Sequence, residues 1–290
     1  MSCEIADLVD LAGCRAAVDV QLDVWGRDAE TVPASLLAAS IERGGVLVGA
    51  WDGGRLSGFA WSMPGWRDGR PTHWSHMLGV RPEARGRGLG VSLKRAQRSR
   101  LRRAGVELVE WTFDPLQAAN AHVNLRRLGA TAWEYRVNAY GEMHGPLHRG
   151  TPTDRLVAEW WIDRPEVARR LDDGDVARGS GDRPVPAPDD AAAHAAAASP
   201  AATILEVRRE GAWQVPGDVR LPPSARRVQV PVPARFTEMQ QQAPAHALAW
   251  RLAARDVLTA CFARGYRAVD FVRDPATGGG AYVLVSPAAS

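Results

Sequence analysis

A short run of glycines and arginines, Arg85-Gly86-Arg87-Gly88-Leu89-Gly90, has residue types and a spacing suited to phosphate binding. It lies between an apolar, strand-like run at residues 76–80 and a long helical pattern that starts at Leu89. The first amides of a helix have no partner within it, and the helix dipole adds partial positive charge there. Glycine lets the backbone approach an anion with no Cβ in the way. The run is therefore predicted to bind the phosphate or pyrophosphate of a phosphorylated cofactor.

Two common nucleotide motifs are excluded by spacing. Gly86, Gly88 and Gly90 form G-x-G-x-G and not the G-x-G-x-x-G of dinucleotide-binding folds, and Val91 stands where a P-loop requires lysine. The alternative is a solvated, RNA-binding segment rich in arginine and glycine. Strand and helix patterns flank the run on both sides, which is unlike the disordered tracts in which such segments occur. Because 36 basic residues are balanced by 33 acidic ones, nucleic acid is not a predicted partner.

The pattern Arg85-x-x-Gly88-x-Gly90 resembles the acyl-CoA-binding signature of the GNAT superfamily, the Gcn5-related N-acetyltransferases. By element order the resemblance covers about residues 1–165, and it is most specific between Leu78 and Gly90. Further segments, at 111–116, 120–121 and 153–155, are similar to those of a bacterial subgroup of GNAT-like proteins with a C-terminal extension. The resemblance implies an α/β fold with a mixed, mostly antiparallel central sheet and flanking helices.

The resemblance also implies how an acyl-CoA co-substrate would bind. The pyrophosphate would lie on the amides of residues 85–90, and the pantetheine arm would pair with the strand backbone around Leu78 and Val80. A splay between this strand and the one that starts at Val106 would leave a slot for the thioester. A backbone N–H near Met77 or Leu78 would polarise the thioester carbonyl.

Acyl transfer to an amine requires a base for the ammonium proton and a group that stabilises or protonates the leaving thiolate. His76 and His73 are the candidate bases, with His76 closer to the reacting carbon. Glu110 on the facing strand is the competitor, acting directly or through a water. A strand histidine is also commonly a structural hydrogen-bonding residue, and Glu110 could simply face solvent.

The sequence departs from the family pattern at the usual general acid. The place of the family tyrosine, four residues before Gly129, holds Leu125. Either the thiolate leaves without a dedicated acid, or another group such as Tyr140 or Tyr135 supplies the proton.

Other polar side chains have both a functional and a structural interpretation. Asn120 and Asn124 could hydrogen-bond the pantetheine or the sulfur, or be solvated helix residues. Arg251 and Arg255, one helical turn apart, could clamp a carboxylate of the substrate or the acyl group, although solvated arginines are more common. Asp114 could meet a substrate amine, and an Asp-Pro turn explains it equally well.

Composition sets the class of protein. With 290 residues, 46% hydrophobic and 24% charged, the chain is predicted to be globular, and its net charge of +3 is small. Cys3, Cys14 and Cys261 have neither metal-binding nor disulfide spacing, so no metal is expected. Neither a signal peptide nor a membrane-spanning run is recognised, so the expected location is cytoplasmic, with no membrane partner.

The periodicity predicts an α/β arrangement followed by a linker and a smaller unit. Helices are predicted at 10–24, 33–41, 89–104, 118–128 and 245–264, and strands at 46–51, 56–61, 72–80, 106–113, 132–140, 155–162, 203–207, 228–232, 268–272 and 281–285. A GNAT-like domain is predicted at 1–165, a flexible linker or insertion rich in Ala, Pro and Asp at 166–202, and a ββαββ extension, docked on the first domain, at 203–290. That extension could complete the substrate pocket, form a homodimer contact or brace the sheet.

The leading functional hypothesis is an acyl-CoA-dependent N-acyltransferase acting on a small amine, such as an amino acid. Acetyl-CoA is the default donor and a larger acyl group such as succinyl is the alternative. Attack is expected to be direct, within a ternary complex, because no convincing nucleophile–base pair is present. The second hypothesis is a catalytically degenerate GNAT-like module that binds CoA as a ligand or sensor.

Overall fold

The computed structural model describes residues 3–27, 29–141, 151–172, 201–220 and 225–286, and the chain divides into two compact units. Unit 1 comprises Met1–Trp111 with Trp161–Asp163, and unit 2 comprises Thr112–Trp160 with Arg164–Ser290. The boundary between the units therefore falls within a strand, and the predicted domain limits at residues 165 and 202 stay predictions.

Unit 1 is built around a sheet with the strand order β1-β2-β3-β4-β5. The first three pairings are antiparallel, and β5 runs parallel to β4. Its elements are β1 (Glu4–Asp7), α1 (Leu11–Trp25), α2 (Ala34–Glu42), β2 (Val46–Asp52), β3 (Arg55–Arg67), β4 (Arg70–Val80), a 3₁₀ turn (Pro82–Ala84), α3 (Leu89–Arg103) and β5 (Leu108–Phe113).

Alternation along the strands of unit 1 divides its core into two clusters, one on each face of the sheet. Leu47 of β2 packs in a cluster with residues of α1 and α2, whereas its neighbour Val48 packs in a cluster with Leu89 and Leu93 of α3. Two faces covered by helices make the central strands apolar on both sides, which explains the near-continuous burial of β2 and β3.

Unit 2 contains a second set of strands in the order β7-β6-β12-β13-β11-β8, antiparallel except for the β11–β8 pair, with β9 and β10 forming a separate hairpin. The C-terminal strands extend the sheet of β6 and β7 through the pair Ala268↔Ala132. The elements are α4 (Ala118–Ala121, continued by a π-helix over His122–Arg127), β6 (Thr131–Arg136), β7 (Arg155–Trp161), α5 (Pro165–Asp172), β8 (Ala202–Thr203), β9 (Leu205–Glu210), β10 (Trp213–Val219), β11 (Arg227–Val232), α6 (Phe236–Gln242), α7 (Pro244–Ala263), β12 (Arg267–Arg273) and β13 (Gly280–Val285).

Large buried side chains anchor unit 2 through polar contacts to the backbone. The indole N–H of Trp160 donates to the carbonyl of Leu128 at 2.8 Å, and the indole N–H of Trp250 donates to the carbonyl of Gln214 at 2.7 Å. The hydroxyl of Tyr282 donates to the carbonyl of Pro115 at 2.7 Å. Each polar atom that these aromatic side chains bury is thereby satisfied.

The predicted fold class, a mixed and mostly antiparallel sheet with flanking helices and extra C-terminal strands, is confirmed. Several boundaries differ. The strand predicted at 132–140 ends at Arg136, because the backbone turns at Asn138, whose φ is +47° and whose N–H donates to Asp154. The strand predicted at 203–207 divides into β8 and β9, and α5 covers the first residues of the predicted linker, whose residues 173–200 lie outside the described residues.

Candidate functional site

The glycine-rich run of unit 1 forms an exposed loop that ends in the first turn of α3. Gly86 and Gly88 have φ values of +76° and +78°, which side-chain-bearing residues rarely adopt. A Cβ at either glycine would meet no protein atom within 4 Å, so the loop has open space on that side. Within the described residues no acceptor takes a hydrogen bond from the N–H groups of Gly86 to Gly90, which leaves a row of donors at the positive end of α3.

Arginine side chains fix the ends of this loop. The guanidinium of Arg85 donates to the carbonyl of Val80 at 3.1 Å, and that of Arg81 donates to the carbonyl of Leu56 at 2.7 Å. Arg87 pairs with Asp52 of β2 at 2.7 Å. The loop is therefore attached to β2, β3 and the end of β4 before any ligand binds.

Strand β4 contains an irregularity in its middle. Its pairing with β3 changes register between Trp74 and Met77, so that Ser75 and His76 together face one residue of β3. An extra residue of this kind re-aims the side chains that follow it. Beyond the bulge, Leu78 and Val80 pack with α3, and Met77 packs with the cluster of α1 and α2.

The parallel ladder between β4 and β5 also stops at this bulge. The pairs Thr72↔Leu108, His73↔Val109 and Trp74↔Glu110 are registered, and β4 then continues to Val80 without a registered pair on β5. The predicted separation of these two strands is therefore present within unit 1. It leaves the backbone edge of β4 around Met77 and Leu78 without strand pairing on its β5 side.

The two candidate histidines lie in different environments. His76 is exposed, and its ring meets Trp61 edge to face with the centroids 5.3 Å apart. The protein packed around its imidazole lowers the pKa of His76 below 6.5. His73 is buried, its Nδ1 lies 3.1 Å from Ser62 Oγ, and burial lowers its pKa to about 4. Both rings are therefore neutral at pH 7, and His76 is the one accessible as a proton acceptor.

Glu110 does not face solvent. Its side chain is 14% exposed, and its carboxylate accepts a hydrogen bond from Arg67 Nη1 at 2.7 Å. A carboxylate held by a guanidinium is a weaker proton acceptor than a free one. The geometry within unit 1 thus favours His76 over Glu110 as a base.

A residue that sequence reasoning did not assign to the site, Lys94 of α3, lies beside the end of the β4–β5 ladder. Its Nζ donates to Ser75 Oγ at 2.6 Å and to Gln97 Oε1 at 3.1 Å, and lies 3.9 Å from the centroid of the Trp111 ring. The side chain is buried, and burial lowers the pKa of Lys94 to about 7. The signal in the sequence was its rarity, because it is the single lysine of the chain.

The helix that carries the other candidates, in unit 2, is not a regular α-helix. A π-helix spans His122–Arg127, and the Leu128 N–H donates to the carbonyl of Val123, five residues back. Leu125, in the predicted place of the family tyrosine, is fully buried. Asn124 within this π-helix is also buried, whereas Asn120, in the turn before it, is exposed.

The two tyrosines predicted as alternative acids differ. Tyr140 is 48% exposed, and its hydroxyl is hydrogen-bonded to that of Thr112 at 2.6 Å. The hydroxyl of Tyr135 donates to Asp154 Oδ2 at 2.8 Å, and burial together with that carboxylate raises the pKa of Tyr135 far above its ordinary value of 10. Tyr135 therefore cannot release its proton readily, and Tyr140 is the more suitable of the two.

Arg251 is buried and Arg255 is partly exposed, and each is engaged by a carboxylate of the protein and not available for a substrate carboxylate. Arg251 donates from Nη1 and Nη2 to the two carboxylate oxygens of Asp114, at 2.7 and 2.8 Å. Arg255 donates from Nε and Nη2 to Asp154, at 2.8 and 2.9 Å. Each guanidinium is paired with a carboxylate of its own unit. Asp114 forms a bidentate pair with Arg251 and is therefore not available for a substrate amine.

In the parts of the chain that the structure describes, no group of three or more His, Cys, Asp or Glu side chains is arranged to hold a metal ion. Across the same residues, every helix is too short or too polar to cross a lipid bilayer.

Comparison with protein families gives a match between residues 15–129 and the model of the acetyltransferase (GNAT) family. The matched segment is about two fifths of the chain and contains the whole loop from Arg85 to Gly90. A comparison with curated proteins gives no match.

Solved structures similar to this chain cover a little over half of it. The ribosomal-protein-S18-alanine N-acetyltransferase of Escherichia coli is 18% identical, with coverage of 56% of this chain and 96% of that chain and a TM-score of 0.45. The ribosomal-protein-alanine N-acetyltransferase of Brucella melitensis is 19% identical, with coverage of 54% and 98% and a TM-score of 0.44. The PaiA N-acetyltransferase of Thermoplasma acidophilum, in complex with coenzyme A, is 14% identical, with coverage of 55% and 98% and a TM-score of 0.40.

Proposed function

We propose that this chain, whose residues 15–129 match the acetyltransferase (GNAT) family, transfers an acyl group from an acyl-CoA to a small amine such as an amino acid. Acetyl-CoA is the donor we favour, and a larger acyl group such as succinyl is the alternative. The observation that carries the proposal is the open row of donors from Gly86 to Gly90 beside the unpaired edge of β4.

The residues of unit 1 fit an acyl-CoA. The N–H groups of Gly86 to Gly90 and the positive end of α3 suit a pyrophosphate, and the two left-handed glycines keep Cβ atoms away from it. The β4 edge at Met77, Leu78 and Val80 suits the amides of an extended arm, which would add to the sheet as a strand does.

When bound, the acyl-CoA supplies an activated thioester carbonyl. A backbone N–H of Met77 or Leu78, at the edge that the bulge exposes, would polarise that carbonyl. His76 is neutral at pH 7 and exposed, so it can accept the proton that the attacking amine loses. The roles predicted for Tyr140, Asn120 and Asn124, which belong to unit 2, stay predictions.

A CoA-binding or sensor module without transfer activity is the second candidate. The observation that favours it is Leu125, a buried aliphatic side chain in the place of the family tyrosine. The release of free CoA from acetyl-CoA and succinyl-CoA, measured with a panel of amino acids and other small amines, separates the two. Turnover with any amine excludes the sensor, whereas tight binding with no turnover across the panel favours it.

The cofactor assignment is tested by calorimetric titration of CoA into the wild type and two glycine variants. Gly88→Ala places a Cβ in the anion site at a φ of +78°, and Gly105→Ala places one at a φ of +74° at the opposite end of α3. Both Cβ atoms would meet open space, so both variants carry a similar backbone cost of about 1 kcal/mol. We expect only Gly88→Ala to lose CoA affinity, by at least about tenfold. Equal affinity in the two variants, or no CoA binding to the wild type, would refute the assignment.

A further inference from the structure

Lys94 lies in the wedge where β4 and β5 separate. Ser75, to which its Nζ donates, directly follows the last registered β4 residue, Trp74. Trp111, whose ring the Nζ covers, directly follows the last registered β5 residue, Glu110. The ammonium nitrogen therefore bridges the two strands at the first position where they no longer pair.

The same residue is linked to the phosphate-binding loop along α3. Lys94 stands four residues after Gly90, and residues four apart share one face of a helix. Gly90 of the phosphate-binding loop and Lys94 at the wedge therefore lie on the same face of α3, one helical turn apart.

The type of residue matters as much as its place. The chain has 36 basic Lys and Arg residues, of which Lys94 is the one lysine. Arginine does not release its proton in proteins, whereas a buried lysine can give up a proton and take it back. Lys94, the one Lys or Arg side chain of this protein that can transfer a proton, is thus buried where β4 and β5 separate.

We infer that Lys94 is the proton source for the leaving sulfur of the acyl-CoA, and that it acts through the hydroxyl of Ser75. This inference rests on the proposed function and adds a residue to that site. It supplies the group that the departure at Leu125 leaves missing. The contacts of its Nζ with Ser75, Gln97 and Trp111 hold the ammonium group of Lys94 at the wedge.

The step balances without a further reactant. The amine nitrogen forms the bond to the carbonyl carbon and gives its proton to His76, and the carbon–sulfur bond breaks with the electron pair on sulfur. Ser75 passes its hydroxyl proton to the sulfur and takes one from Lys94 Nζ. Neutral Lys94 then regains a proton from solvent while His76 returns one.

The surroundings of Lys94 within unit 1 agree with a proton that is exchanged near neutral pH. Titratable groups near the end of the β4–β5 ladder are His73 and His76 of β4 and Glu110 of β5, and Arg95 and Arg98 are the nearest charged residues on α3. His73 is bound to Ser62, Glu110 to Arg67, and Arg98 donates to the carbonyl of Ile162. Burial lowers the pKa of Lys94 to about 7, so that the group is charged below this pH and neutral above it.

The experiment is an NMR titration of the wild-type chain labelled with lysine carrying ¹³C at Cε. One lysine gives one signal, so the protonation of Lys94 is observed without assignment. The titration is recorded with no ligand, with the sulfonate of CoA, whose oxidised sulfur carries a permanent negative charge, and with desulfo-CoA, which has hydrogen in place of the thiol. We expect the sulfonate to raise the midpoint by about one pH unit or more, because an anion at the place of the sulfur favours the ammonium form. Desulfo-CoA is expected to leave the midpoint well below the value with the sulfonate.

The outcomes distinguish a failure of the Lys94 role from a failure of the proposed acyl-CoA binding. If the CoA sulfonate and desulfo-CoA both bind and the Lys94 midpoint is the same with either, the inference is wrong and the cofactor assignment stands. If neither ligand binds, the proposed function fails and this inference fails with it.

Two variants give an independent readout. Lys94→Arg keeps the positive charge but cannot release a proton. Lys94→Met removes the charge and the proton donor, while Ser75 Oγ keeps its 3.2 Å hydrogen bond to Gln97. We expect kcat to fall about 100-fold in each, with CoA affinity within about threefold of the wild type. A Lys94→Arg variant with wild-type kcat would show that charge alone suffices and would overturn the proton-source role.

Discussion

The bidentate pair between Asp114 and Arg251 predicts a large loss of stability when one partner loses its charge. Asp114 follows β5 and Arg251 lies on α7, and their side chains are only 8% and 2% exposed. Burial acts to lower the pKa of Arg251, but the hydrogen bonds and charge of Asp114 outweigh burial and raise it. The guanidinium therefore stays charged, and Asp114→Asn leaves that charge buried without compensation.

The expected magnitude follows from removing one member of a buried pair. Such a change costs about 3–5 kcal/mol of the free energy of unfolding. The asparagine amide would retain one acceptor oxygen, so the lower part of this range applies to Asp114→Asn. The double variant Asp114→Asn/Arg251→Met removes the orphaned charge and is expected to recover about half or more of the loss.

Urea unfolding of the full chain, followed by tryptophan fluorescence, measures these free energies. The matched control is Asp218→Asn, which breaks the pair with Arg208 on the β9–β10 hairpin, where the two side chains are 64% and 51% exposed. This control is expected to change stability by less than about 0.5 kcal/mol. If Asp114→Asn also costs less than about 1 kcal/mol, or if the double variant is as unstable as the sum of the single ones, the reasoning is refuted.

Two further predictions concern the histidines of β4. His76→Ala is expected to lower kcat about 100-fold with little change in CoA affinity, and the acidic limb of kcat/KM in the wild type should lie below pH 6.5, because the protein packed around the imidazole lowers the pKa of His76. Near-normal turnover of His76→Ala would transfer the base role to Glu110 or a water. His73 has a pKa of about 4 in the folded chain and about 6.5 when unfolded, so its unfolded form takes up a proton first as pH falls. The free energy of unfolding should therefore decrease between pH 6.5 and 4, by up to about 3 kcal/mol more in the wild type than in His73→Gln; equal pH profiles in urea unfolding would contradict this.

Much of the fold was predictable because local signals are strong in unit 1. The hairpin of β2 and β3 and the glycine at the end of α3 are encoded within a few residues, and the structure places them accordingly. The short strand Glu4–Asp7 carries no such signal, since it has charged residues at both ends. Strand β10 was missed because Pro216 and Gly217 argue against a strand, and the structure accommodates them with a register shift.

The site was predictable where chemistry depends on adjacent residues, and not where it depends on distant ones. The loop from Arg85 to Gly90 could be identified from its spacing alone. The partner of Arg251 could not, because Asp114 lies 137 residues away and no periodicity links the two. Lys94 was notable in the composition, but its position between Ser75 and Trp111 depends on the bulge of β4, which the sequence does not indicate.

The burial of the chain's single lysine has a consequence for chemical reactivity. Acyl thioesters acylate exposed lysine amines without a catalyst, and each such event removes a positive charge. Lys94 is 2% exposed, so the protein presents no lysine amine on its surface to an acyl thioester in solution. The surface is therefore protected from uncatalysed acylation at lysine, and amine-directed crosslinkers are expected to react with it very little.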